Sequence, residues 1–329
     1  MVFDLRYKDD NRMLPAWYAQ WARIGRITHV QWLGKRSQPE HLLTLLHHLP
    51  HLVSLNLQGY FRHAFKPYVL WGLVGRIPRD HTAHGRTPHS LFTTRHVKVF
   101  SVALWTWRVS NRAIVNAFLV LVLNCPTLDT LALTACDLNH VACKITLHMK
   151  CLTLDACEMS PAMLKQLAAA LPTSNNETLA IKEHRSVDGI DLAELIDALP
   201  LSRVNSLNLK CFDWAMDPLN VWAIKGSKLK DSCLETLRLE YCHIVDVDAI
   251  EIAKDLQYNI TIKSLHVEGN QIDLSGAMAL LVCRPASLRN IDLGYTELHL
   301  KDIETLLELA QLRNVQLSIS SREWGDGDY

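Results

Sequence analysis

Five side chains with acid, base or donor chemistry lie on alternating positions in the C-terminal third: Arg238, Glu240, His266, Glu268 and Asp292. An imidazole between a guanidinium and a carboxylate is the raw material of a general acid or base. Spacing puts no nucleophile beside it, and ion pairs on an open, solvated face shift pKa values little. The pattern points to recognition of charge rather than to turnover. His81, His84 and His89 have spacing suggestive of a metal site, but no cysteine or carboxylate cluster completes a ligand set. No phosphate loop, H-E-x-x-H, nucleophile elbow or dinucleotide fingerprint occurs. No catalytic residue, metal or cofactor is expected.

Most of the remaining reactive side chains belong to a repeat. Cys125-Pro-Thr-Leu128-x-x-Leu131-x-Leu133-x-x-Cys136-x-Leu138 recurs as Leu234-x-x-Leu237-x-Leu239-x-x-Cys242-x-Ile244. It recurs again as Ile262-x-x-Leu265-x-Val267-x-x-Asn270-x-Ile272, and as Leu288-x-x-Ile291-x-Leu293-x-x-Thr296-x-Leu298. The alternation is that of a short strand with one buried face. Strand centres are expected at Val30, Leu55, Val102, Leu131, Leu152, Leu179, Leu207, Leu237, Leu265, Ile291 and Val315, giving eleven repeats. Cys136, Cys157, Cys242, Asn270 and Thr296 share one slot, where the chain leaves the strand. A small polar side chain there satisfies backbone groups that the ladder abandons. These residues are read as structural. With nine cysteines in all, an odd number, the thiols are expected to be reduced, in cytosol or nucleus.

Between strands the spacing turns helical. Helices are expected over 13–23, 39–49, 160–171, 188–199, 246–256 and 302–312, the third opened by Ser160 as cap and Pro161 in the first turn. Residues 60–96 break the period, with three Pro, three Gly, five His, six Lys or Arg and a single acid, Asp80. They are either a surface loop inserted between repeats or a segment that a mistaken gene model would add. The polar tail from Ser318 to Tyr329 is expected to cap the last repeat.

Net charge is zero, but residues 1–150 carry 18 Lys and Arg against 7 Asp and Glu, and residues 151–329 carry 16 against 27. No window has the ~18 unbroken apolar residues of a membrane span. The charged start, Met1-Val-Phe-Asp4-Leu-Arg6, is unlike a secretory signal. Asn176-Glu-Thr178 and Asn259-Ile-Thr261 match the N-glycosylation sequon, which matters only in a secreted protein.

The pattern resembles the leucine-rich repeat, in its ribonuclease-inhibitor-like and cysteine-containing subtypes, over the whole chain except 60–96 and the tail. The resemblance implies an α/β solenoid, a horseshoe with a concave parallel sheet and convex helices, as a single domain over 1–329. Alternation then sends certain residues to the concave face. They include Ser54, Asn56, Ser101, Ala103, Trp105, Thr130, Ala132 and Thr134, then Ala180, Lys182, Asn208 and Lys210, the five charged residues above, and Asn314 with Gln316. Trp105 and Trp107 add aromatic surface of the kind enriched at binding hot spots. The implied function is protein recognition by a monomer, without a small-molecule substrate or membrane. Cysteine-containing repeats resemble those of F-box proteins, whose solenoids select substrates for ubiquitin ligases, although no F-box helices are recognisable before residue 25. The alternative is a GTPase regulator resembling the GTPase-activating proteins with ribonuclease-inhibitor-like repeats. The basic first half keeps nucleic acid as a further option, with Phe61, Phe65, Tyr68 and Trp71 for stacking.

Overall fold

A strand of alternating leucines pairs best beside another of the same pattern, since each then buries the same face. In the computed structural model this pairing recurs through the chain, described here over residues 2–5, 28–32, 49, 51–57, 97–103, 112–141, 144–182, 189–210, 228–296 and 298–320. The chain divides into two compact units, Met1–Glu158 and Met159–Tyr329.

The first unit carries β1 (Val2–Leu5), β2 (His29–Trp32), β3 (Ser54–Leu57), β4 (Val99–Ala103), β5 (Thr130–Thr134) and β6 (Cys151–Asp155). They pair in chain order and all in parallel. Parallel neighbours require a crossover between them. From β4 to β5 the crossover is helix α1 (Arg112–Leu123), whose Phe118 meets Phe100 of β4 edge-on, centroids 6.1 Å apart. From β5 to β6 residues 144–149 run without regular structure. Ile145, Leu147 and Met149 are buried there while Lys144, Thr146 and His148 are exposed. Alternating burial covers this stretch of core with fewer residues than a helix needs.

The second unit carries β7 (Thr178–Lys182), β8 (Ser206–Lys210), β9 (Thr236–Glu240), β10 (Ser264–His266), β11 (Asn290–Asp292) and β12 (Gln316–Ser318), again parallel and in chain order. Its helices are α2 (Pro161–Ala170), α3 (Gly189–Ala198), α4 (Asp246–Leu256), α5 (Leu274–Val282) and α6 (Leu300–Leu312). Ser160 caps α2 as expected, its Oγ accepting from the Met163 N–H at 3.3 Å. Asp246, at the start of α4, accepts from the Asp273 and Gly276 N–H groups, tying α4 to the first turn of α5.

The paired registers correct three expectations. The partner of Leu131 in β4 is Phe100, not Val102. The partner of Ile291 in β12 is Leu317, not Val315, so Asn314 stands before the strand in a turn. Val2–Leu5 adds a strand ahead of the first one expected. Ala103 and Ala180, expected on the open face, are buried. The helix expected over 13–23, all but Leu49 of that expected over 39–49, the 60–96 segment and the tail beyond Ser320 lie outside the described residues.

In the five turns whose polar slot lies among the described residues, the chain leaves the strand through one left-handed residue immediately before that slot. Ala135 (φ 53°) and Ala156 (φ 50°) do this in the first unit; Tyr241 (φ 56°), Gly269 (φ 70°) and Tyr295 (φ 56°) do so in the second. Only glycine adopts this geometry without steric cost. At Gly269 space is also needed, because a Cβ would stand 2.4 Å from the Tyr241 ring. Gly269→Ala is expected to cost about 2 kcal/mol, from left-handed strain plus overpacking. Thermal unfolding checks this: Tyr241→Ala should recover part of the loss in the double variant, and additive losses would count against the clash.

Candidate partner-binding face

Strands β8 to β11 turn their leucines and isoleucine into the core and their intervening residues to the opposite, open face. Leu207, Leu209, Leu237, Leu239, Leu265 and Val267 are at most 1% exposed. Strand pairing fixes which open-face residues are neighbours. Asn208 lies beside Arg238, Arg238 beside His266, and His266 beside Asp292, one row across four strands. The adjacent row places Lys210 beside Glu240. The five charged residues named from the sequence thus belong to two neighbouring rows.

Glu240 departs from the expected role. Its side chain is 8% exposed and receives Arg238 Nη1 at 3.1 Å and Lys210 Nζ at 3.6 Å. A carboxylate this buried is tolerable because two cations compensate its desolvation. It holds the cations in place instead of offering itself to a partner. Lys210 also lies over the Tyr241 ring, 5.2 Å from its centroid.

His266 Nδ1 stands 3.6 Å from Asp292 Oδ2, just beyond hydrogen-bonding distance, while Asp292 Oδ1 accepts from the Gly294 N–H at 3.0 Å. Burial pushes the imidazole pKa below its ordinary value and Arg238 pushes it further; Asp292 opposes both. Burial raises the Glu268 carboxyl pKa, helped by repulsion from Glu240 and Asp292. The expectation of little-perturbed pKa values therefore fails at these two groups, because the face is half-buried and not fully solvated. Trp105 and Trp107 lie outside the described residues.

Beneath the face, the polar slot satisfies the backbone. Asn270 Oδ1 accepts from the Cys242 and Ile244 N–H groups at 2.8 and 3.1 Å. Its Nδ2 donates to the Leu239 and Val267 carbonyls at 2.7 Å and to Glu268 at 3.3 Å. The cysteines reach equivalent acceptors. Cys242 Sγ donates to the Leu209 and Glu240 carbonyls, and Cys157 Sγ to those of Leu133 and Asp155. Cys136 Sγ donates to Thr134, and Thr296 Oγ1 to Leu293 at 2.7 Å. The Cys136 thiol touches Cys157 and is buried, so its pKa is held well above the usual thiol range and it remains a donor. No disulfide is found among the seven cysteines of the described residues.

Sequence reasoning missed a second polar column. Ser174, Ser202 and Ser232 each donate to the carbonyl three residues back, at 2.8, 2.8 and 2.7 Å, where the chain turns toward a strand. The signal was a serine three residues after a buried leucine: Leu171, Leu199 and Leu229. Asn259 works at the same level, donating to the Leu229 carbonyl and accepting from the Thr261 and Ile262 N–H groups. Both sequon asparagines are interior, Asn176 at 0% and Asn259 at 2% exposure. No glycan fits on either in the folded chain.

Among the described residues no group of three His, Cys, Asp or Glu is arranged to hold a metal, and no helix is long and apolar enough to cross a membrane.

The family model described as Leucine Rich repeat matches residues 258–281, from just after α4 through β10 and most of α5. This match, with the repeated strand, slot and crossover, fits the α/β leucine-rich-repeat fold. No curated protein matches. Among solved structures, TLR13 in complex with ssRNA13 is 15% identical, with a TM-score of 0.49 over 92% of this chain; the chain spans 37% of the TLR13 chain. An internalin (inlF) from Listeria monocytogenes is 14% identical, with a TM-score of 0.48 over 91% of this chain and 76% of its own. A Bacteroides fragilis protein is 12% identical, with a TM-score of 0.41 over 77% of this chain and 74% of its own. Similarities this distant say nothing about ligand.

Proposed function

We propose that the protein is a non-catalytic scaffold that binds another protein on the open face of its second unit. The observation that carries this reading is the two-row ion cluster, where Glu240 holds Arg238 and Lys210 in place beside half-buried His266, Glu268 and Asp292. Pre-positioned charges of this kind set partner choice and register. Repeat folds recognise partners over extended faces. Substrate selection for a ubiquitin ligase is the finer reading, supported by the cysteine-bearing slots at Cys136, Cys157 and Cys242. A reducing compartment, cytosol or nucleus, is supported by the free thiols and the interior sequon asparagines.

The test is capture of partners from cell extract by the full chain and by Arg238→Ala/Asp292→Ala, which leaves Glu240 its Lys210 partner. The expected result is one dominant protein lost by the variant while its circular dichroism is unchanged. Retention of every captured protein would sink the reading. The ligase reading requires that the captured partner be ubiquitinated in a manner dependent on this chain.

A further inference from the structure

The open face of the second unit has a direction. Going from β7 to β9, its rows present Lys182, Lys210 and Arg238 against a single carboxylate, Glu240, which two of these cations already engage. Going on to β10 and β11, the rows present Glu268 and Asp292, with only the imidazole of His266 between them. One end therefore holds surplus positive charge and the other surplus negative charge. Lys210 and Arg238 are about one-third exposed and retain N–H donors that Glu240 does not use. Glu268 has no ion pair among the described residues, and its crowding with Glu240 and Asp292 makes an added cation favourable there. Opposed poles are poorly matched by a partner of single charge sign, since attraction at one end becomes repulsion at the other.

Resting on the scaffold reading above, we infer that the partner docks through an extended segment laid across the strands, an acidic side chain over Lys182 and Lys210 and a basic one over Glu268 and Asp292. From β8 to β11 is three strand spacings, about 14 Å at ~4.8 Å each. An extended segment advances ~3.3 Å per residue, which sets acid and base about four residues apart. An even separation also puts both on the same side of the segment.

Random twelve-residue peptides displayed on phage and panned on the full chain test this. The expected result is about tenfold enrichment of peptides carrying an acid and a base four residues apart, a discrimination of about one decade in affinity. With Glu268→Gln/Asp292→Asn the basic preference should disappear while the acidic one remains; Lys182→Gln/Lys210→Gln should do the reverse. Enrichment without this pairing, or a pairing that survives both variants, overturns the inference. If no peptide is enriched while the extract partner is still captured, the linear segment is wrong and the scaffold reading stands. Loss of that capture as well removes both.

Discussion

Asn270→Ala is expected to cost about 3–5 kcal/mol, the largest single loss we foresee in the second unit. The amide is 2% exposed and spans two repeats. Its removal orphans the Cys242 and Ile244 N–H groups and withdraws a donor from the Leu239, Val267 and Glu268 carbonyls. Each buried group left without a partner costs roughly 1–3 kcal/mol, partly relieved by local relaxation. Asn270→Cys separates the two halves of the role. A thiol still donates in the manner of Cys242, but it accepts poorly, so about half the loss should remain. Urea unfolding followed by circular dichroism measures the total, and amide exchange at Cys242 and Ile244 reports the orphaned groups. A loss below about 1 kcal/mol for the alanine variant would show that the slot is not needed.

Phe100→Ala should be comparably severe in the first unit, at about 3–5 kcal/mol. Phe100 is fully buried and meets the Phe118 ring edge-on at 73°, joining sheet to helix. Aromatic truncation forfeits both the transfer energy and the paired-ring contact, and leaves a cavity. Its register neighbours are Leu55 and Leu131, so Phe100→Leu fits the repeat and should lose less than about 2 kcal/mol. Equal losses for the two variants, in thermal unfolding, would refute the cavity account.

The repeat was legible because burial alternates with a period of two and the slot needs a polar side chain. Those demands wrote Leu131-x-Leu133-x-x-Cys136 and its copies. The register of Phe100 and Leu317 was not legible, because Phe100 with Val102, and Val315 with Leu317, satisfy the same alternation after a shift of two. The left-handed column was invisible for a different reason. Ala135, Tyr241 and Gly269 share a backbone conformation and no side-chain property. On the open face, alternation was enough to name Arg238, Glu240, His266, Glu268 and Asp292. That Lys210 joins Arg238 around a buried Glu240 depends on which residue faces Glu240 across the strands, and no single strand encodes it.

The interior placement of Asn176 and Asn259 also governs how the protein should be produced. In a secretory host, both sequons would meet the glycosylating machinery before their repeats close. An oligosaccharide attached to either would then have to be buried where the native fold leaves no room, holding apart a turn that Asn259 fastens to the Leu229 carbonyl. Bacterial cytoplasmic production avoids that trap. For work in secretory cells, Thr261→Val would erase one sequon, at the cost of the bond from the Thr261 hydroxyl to the Leu234 carbonyl.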